Sequence, residues 1–439
     1  GALVTRDAGV TIFAGSCLGG GSTINWTGSF RTPDYILDEW ANDHGFLAAK
    51  GSAFRAGEGA VMSALGTNRD HSPHNPQNDA LWRGSEVLGN PVEVIERNVV
   101  GCQVDGCKAC GYCGLGCRRG TKQSTVRTWL PRATAAGARI LVNTTVQCVS
   151  SHLGAATGVE GWTRSPEGRR IGIRIRAKRV VVAAGSVQTP ALLLRSGLNH
   201  PKLGFNLFFH PTVAVAGFYK DRIAPWYGPM MSAVNKAGIR LDGNYGYWVE
   251  TPPLHPGTAA LALPWISGKQ HKQDLLRVGN MASFIVLTRD KYGGRVQVDR
   301  QGNARVAYAL HSYDRAHLLK GVQAAFQIHR AAGASDVIFP HNSRKQLLCN
   351  ASQVDRDAFL HGMPGWGWGP NQFALFTAHQ MGTCALGGDA ALHPVAPDGS
   401  FRGLRGLFIA DGSLMPTSAG INPMIPIMAL AHWVGKGME

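Results

Sequence analysis

Hydrophobic and polar positions change period several times along the chain, and the changes predict where its elements lie. After Ala138 the run Arg-Ile-Leu-Val-Asn-Thr-Thr-Val reads as a short strand. Residues 158–162, the turn Ser165-Pro166-Glu167-Gly168, and Ile171, Ile173 and Ile175 alternating with polar neighbours then predict a hairpin with one solvated face. Residues 179–185, Arg-Val-Val-Val-Ala-Ala-Gly, are apolar after the arginine, the pattern of a strand buried on both faces, and residues 190–196 have helical period. A buried strand, a glycine turn and a helix make half of a dinucleotide-binding unit.

From residue 204 to 370 the chain turns to aromatics, prolines and short β-type runs at 281–287, 295–299 and 305–309, with a helix predicted over 314–332. This reads as an antiparallel sheet carrying a helix. After Gly369 the first style returns: Gly406-Leu-Phe-Ile-Ala-Asp411 predicts another buried strand closed by a polar turn, and residues 421–434 a core helix. The expected architecture is α/β, α+β overall, with a nucleotide-binding domain at 1–203, a sheet domain at 204–370 and a return to the first domain at 371–439. No internal repeat suggests a solenoid.

Composition narrows the function. With 439 residues, 44% hydrophobic and 16% charged, the chain has the make-up of a folded soluble protein. Its net charge of +16 comes from scattered residues such as Arg164, Arg169, Arg170, Arg174, Arg176 and Arg179, which suits a solvated basic surface and no nucleic-acid partner. No stretch reaches the about 18 apolar residues of a membrane span. Five of the nine cysteines crowd between Cys102 and Cys117, a pattern that fits a metal or cluster site in a reducing compartment better than a disulfide framework.

Four stretches carry chemistry together. They are Gly15-Ser-Cys-Leu-Gly-Gly-Gly-Ser-Thr-Ile-Asn25, Gly185-Ser-Val-Gln-Thr-Pro-Ala-Leu-Leu-Leu-Arg-Ser-Gly197, His379-Gln-Met-Gly-Thr-Cys384 and Ala410-Asp-Gly-Ser-Leu-Met-Pro-Thr-Ser-Ala-Gly-Ile-Asn-Pro-Met424. Glycines at 19, 20, 21 and 185 let backbone amides approach a pyrophosphate or a flat ring closely, since no Cβ intervenes. Asp411, at a strand end, suits either a hydrogen bond to a cofactor or a helix cap. In order and spacing the four stretches resemble the glucose-methanol-choline (GMC) oxidoreductases, with Ser16 and Asn199 departing from the usual signatures. The resemblance implies an FAD-dependent enzyme with a Rossmann-like FAD domain interrupted by a substrate domain. It implies cofactor contacts from Gly20, Gly21, Ser22, Asn25, Val146, Ala184, Gly185, Asp411, Gly412, Pro423 and Met424, and it makes His379 and Asn422 the catalytic pair. The family's Gly-x-Gly-x-x-Gly fingerprint is absent, and the chain opens on Gly1 without an initiator Met, so the sequence is expected to be part of a longer protein.

The first signature together with Cys110-Gly-Tyr-Cys-Gly-Leu-Gly-Cys-Arg-Arg-Gly-Thr-Lys122 resembles long-chain fatty alcohol oxidases, and the His379/Asn422 pair resembles cholesterol oxidases. The expected reaction takes a hydrophobic alcohol to a carbonyl by hydride transfer to flavin N5, with oxygen or another electron acceptor as second partner. A sterol-type oxidase, an acceptor-dependent sugar or alcohol dehydrogenase and a non-catalytic remnant are the alternatives, in a cytoplasmic or membrane-surface setting. Trp366 and Trp368 suit either a pocket wall or core. The spacing of Cys107, Cys110, Cys113 and Cys117 is ferredoxin-like, so an iron-sulfur cluster, zinc and an empty structural run all remain open. His379 is expected to take the alcohol proton as a base near neutral pH, and Asn422, ahead of Pro423 and Pro426, to cap the last helix.

Overall fold

The computed structural model describes residues 2–102 and 110–438. Its main sheet runs in the order Ala2–Val4, Val10–Phe13, Leu375–Thr377, Thr212–Phe218, Met281–Thr288, Tyr247–Glu250, Ala233–Asn235 and Val92–Val94, with Asp336–Ile338 and Gln346–Leu348 branching from Thr212–Phe218. Neighbours are antiparallel except Leu375–Thr377, which lies parallel to Val10–Phe13. All eight residues of Met281–Thr288 are buried. That follows from its mostly apolar sequence, broken only by Ser283 and Thr288, which suits the centre of a sheet covered on both faces.

The helix Ser312–Ala331 covers one face, setting Leu318, Val322, Ala325 and Phe326 against Val213, Phe284 and Val286. It begins after His311, whose ring accepts the Tyr313 amide, and carries Asp314 in its first turn and Arg330 in its last, charges that suit the helix dipole. Beside it lies Pro76–Val87, started by Pro76 at its first turn and by the Asn75 side chain on the Asn78 amide.

The second half of the architecture is the parallel pair Val180–Val182 and Leu407–Ile409, followed from the first strand by the helix Gly185–Arg195. An antiparallel sheet, Thr144–His152, Ala155–Arg164 and Arg170–Arg176, leads into it. The main core joins these strands to Asp34–Asn42 and to the last helix, Met424–Gly437.

The mixed α/β class and the antiparallel middle agree with the sequence pattern, and three details differ. The run after Ala138 becomes a strand only at Thr144, and Leu141 and Val142 stay exposed. Val180–Val182 is not buried on both faces: alternation turns Val181 outward, where it is 44% exposed, while Val180 and Val182 meet the core. The main sheet also crosses the expected boundaries at 203 and 370, taking strands from residues 2–13, 92–94 and 375–377. No helix among the described residues is long and apolar enough to cross a membrane.

Close helix packing gives a first test. A Cβ on Gly84 would come within 2.3 Å of the Ile328 carbonyl oxygen. Alanine gains about 1 kcal/mol of helix propensity, but overpacking against backbone costs about 1–3 kcal/mol. Gly84→Ala is therefore expected to lower the urea midpoint, and an unchanged or raised midpoint would show that the two helices separate freely.

Candidate active site

Three loops and a helix start converge on one region. In the glycine loop, Gly20 has φ 55° and ψ −139°, and neither it nor Gly21 has anything within 4 Å of where a Cβ would stand. Open ground thus lies beside exposed backbone, which glycine alone makes available to a flat ligand. Ser22 does not face that ground: its hydroxyl donates to Gly19 O and receives the Thr125 amide. Asn25 reaches across the chain, its amide nitrogen 2.8 Å from the Met424 sulfur, and its Oδ1 is buried without a partner.

The second loop follows Val180–Val182. Gly185 has φ +82° and again open space at its Cβ position. Asp411, at the end of Leu407–Ile409, accepts four bonds, from the Gly185 amide at 2.9 Å, the Thr189 hydroxyl, the Ser413 amide at 2.8 Å and the Ser413 hydroxyl. Four donors occupy the lone pairs of a carboxylate. Asp411 therefore locks the two parallel strand ends and the helix Gly185–Arg195 together. Gly412 is wedged: a Cβ would meet Gln380 O, an Ile427 methyl and the Ser186 hydroxyl at 3.0–3.2 Å. Ala184 sits at the N-cap of that helix, and Val146 packs at the margin of the main core.

The third loop carries His379. Its amide bonds to Thr377 Oγ1, Gly382 N to Gly412 O and Cys384 N to Ser413 O, which pins residues 377–384 against the Asp411 turn. The half-buried His379 ring sets Nδ1 3.2 Å from Nδ1 of His210, while His210 Nε2 receives the Gly420 amide at 2.9 Å. His210 is fully buried with φ +47°, a left-handed backbone that costs free energy outside glycine. Asp290 holds it there by accepting the Phe209 and His210 amides, with the Tyr308 hydroxyl as third donor. Burial pushes the Asp290 carboxyl up to about 7.

Asn422 corrects an expectation. The N-cap of Met424–Gly437 is Pro423 at φ −86°, ψ 10°, with no side-chain cap. The Asn422 side chain instead lies 3.3 Å from Glu250, donating through Nδ2 to Oε1, and its Oδ1 is buried without a partner. Glu250 ends the apolar strand Tyr247–Glu250, is 1% exposed, and has no partner on Oε2. Burial raises its carboxyl to about 8, more than the Asn422 bond lowers it. His379 moves the other way: burial drives its pKa to about 3, with no opposing charge to hold it near neutrality. The ring is neutral at physiological pH.

Sequence reasoning missed His210, Glu250 and Asp290. Glu250 and Asp290 left a signal, since each is a carboxylate closing an apolar strand run. His210 left only its place before Pro211.

The cysteine run lies beside the glycine loop. Lys122 joins them, its Nζ donating to Thr23 O, Asn25 O and Cys113 O, and burial lowers it to about 8. Cys113 Sγ faces the buried Arg97 at 3.8 Å, and Cys117 Sγ faces the Thr121 hydroxyl. Cys110 is exposed. Cys107 lies outside the described residues, and among those described no group of three or more His, Cys, Asp or Glu is placed to hold a metal. Trp366 and Trp368 are half-buried against the core under Ser312–Ala331, Trp368 stacked on Phe373 with centroids 4.0 Å apart.

Comparison with known proteins places this arrangement. Models described as GMC oxidoreductase match residues 1–212 and 292–431. The long-chain-alcohol oxidase FAO4A of Arabidopsis thaliana is 31% identical over 451 residues, covering 99% of this chain and 60% of the plant protein. An uncharacterized GMC-type oxidoreductase of Mycobacterium tuberculosis is 31% identical over 431 residues, 96% of this chain and 64% of its own length. The chain spans about 60% of the length of such plant relatives. Pyridoxine 4-oxidase from Mesorbium loti shares the fold at a TM-score of 0.72 and 17% identity, covering 99% of this chain and 87% of its own. A formate oxidase of Aspergillus oryzae does so at 0.71 and 13%, covering 100% and 87%.

Glu250 supplies a test of the site's electrostatics. Its pKa rises from 4.5 to about 8 on folding, so between those values the folded state holds a proton that the unfolded state has released. The stability contributed is complete below pH 4.5 and is lost as pH climbs through about 8. Glu250→Gln is expected to match the parent at pH 5 and to exceed it at pH 9 by on the order of 3 kcal/mol. A gap that does not change with pH in denaturant melts would mean that Glu250 ionises normally.

Proposed function

This chain belongs to the GMC oxidoreductase family, and from that premise we propose that it carries the alcohol-binding centre of an FAD-dependent oxidase that converts a long-chain primary alcohol to the aldehyde. One observation carries the reading: His379 is tied through His210 to Gly420, and Asn422, two residues further on, is tied to Glu250, with Asn422 Oδ1 and Glu250 Oε2 buried and unpaired.

The residues present fit FAD. Gly20, Gly21 and Gly185 leave open ground beside the backbone, and Asn25 Oδ1 and Asn422 Oδ1 are buried acceptors without donors, a condition that costs about 1–3 kcal/mol each unless a ligand pairs them. The start of Met424–Gly437 brings unpaired amides to the same place, suited to a group on which negative charge develops. When bound, FAD supplies the hydride acceptor.

His379 and Asn422 hold the alcohol oxygen. As the carbon gives up its hydride with both electrons of the C–H bond, the O–H bond breaks and its proton passes to Oε2 of Glu250 in the molecules whose Glu250 carboxyl is ionised, leaving the carbonyl. A carboxyl near 8 keeps its own proton below that pH, so bleaching is expected to quicken as pH climbs through about 8. Preference for a long-chain alcohol rests on the 31% identity to FAO4A and FAO4B, and oxygen as electron acceptor rests on the same likeness.

The test is the rate at which alcohol bleaches the bound flavin on rapid mixing. His379→Ala and Asn422→Ala are each expected to slow bleaching by roughly a hundredfold while FAD stays bound. Hydrogen peroxide should appear in step with aldehyde, and rates should favour long chains over short ones. Unchanged bleaching in the His379 variant would overturn the site, and product without peroxide would assign the chain to acceptor-dependent dehydrogenases.

A further inference from the structure

Resting on that assignment of His379 to the alcohol oxygen, we propose that His210 is a positioning residue that fixes the His379 imidazole in the tautomer with its proton on Nε2, so that His379 meets the alcohol as a hydrogen-bond donor. The polarity of one group in this chain cannot change. The Gly420 backbone amide points at His210 Nε2 from 2.9 Å, and a backbone N–H only donates, so that nitrogen must be bare. A neutral imidazole keeps one proton, and on His210 it must then be on Nδ1. Nδ1 faces His379 Nδ1 at 3.2 Å, so the second ring accepts there and carries its own proton on Nε2. No described protein group bonds to that Nε2, which leaves it for a ligand.

Reversing the chain would turn two donors against each other at Gly420. Charging both rings is no escape, because a proton on His210 Nε2 would face the Gly420 N–H and a proton on His379 Nδ1 would face the His210 Nδ1–H. Asp290 is engaged by the Phe209 and His210 amides and by Tyr308, and Arg289 adds positive charge from its own side. Nor can His210 turn away. It is 0% exposed, followed by Pro211, and its carbonyl receives the Thr212 hydroxyl at 2.7 Å. The hydrogen-bond direction set at Gly420 is thereby transmitted through two rings, and a side chain from residue 210 decides what residue 379 can offer the substrate.

Ring 15N–1H correlation spectra of the histidine-labelled protein read the tautomer directly, with the His379 signals identified by their loss in His379→Asn. The expected spectrum has His379 protonated on Nε2 and bare on Nδ1, and the opposite pattern in the parent protein would overturn the proposal whatever the variants do. His210→Asn, whose amide keeps a donor toward His379, should preserve the Nε2–H form and most of the bleaching rate. His210→Leu should give a mixture of tautomers and slow bleaching by roughly tenfold or more with FAD retained. If His210→Leu keeps the parent's tautomer, His210 does not set it and the proposal fails, and if that variant does not fold, the parent and His210→Asn spectra still decide. Failure of the functional reading looks different: His379→Ala would then bleach normally while the tautomer pattern stands.

Discussion

A buried imidazole has two nitrogens to satisfy and no water to do it with, and His210 meets that demand with partners far apart in sequence. One nitrogen takes the amide of Gly420 and the other meets His379, so residues 210, 379 and 420 must come together or leave polar atoms unpaired. An unpaired buried group costs about 1–3 kcal/mol, which makes the correct approach of three loops part of the fold's stability. The left-handed backbone at His210 adds a cost of its own, balanced by the Asp290 carboxylate on two consecutive amides. Buried around them, Arg289 donates to Ser418 O and to Glu39, so the segment that supplies Gly420 is itself anchored to the helix Asp34–Asn42.

The same logic operates at the other end of the site. Asp411 joins the second parallel strand to the helix that follows the first, and residues 382–384 bond along the Asp411 turn. Distant segments are thus assembled by short polar links set in an apolar core. Where those links are complete, as at Asp411, the residue reads as architecture. Where they are incomplete, as at Asn25, Asn422 and Glu250, a buried polar atom stands without a protein partner.

Local pattern made much of the fold legible. The β-type run at 281–287 became Met281–Thr288, the helical period at 314–332 became Ser312–Ala331, and the turn at 165–168 closed its hairpin, because each is decided by neighbours close in sequence. The run at 140–142 misled, since β-type composition without a pairing partner does not make a strand. Asn422 misled similarly: ahead of two prolines it has the form of a cap, but a buried carboxylate 172 residues away is its partner. The motifs named His379 and Asn422, while their side-chain partners, His210 and Glu250, depend on contacts that no local period encodes.

The proposed role of this cluster of residues is hydride removal from an alcohol carbon. It is tested most directly by mixing the flavin-loaded protein with a long-chain alcohol carrying deuterium on the carbinol carbon and following flavin bleaching. The account predicts bleaching by both alcohols, several-fold slower with the deuterated one, since C–H cleavage is then the step observed. Bleaching at the same rate with both, or none with either, would contradict it.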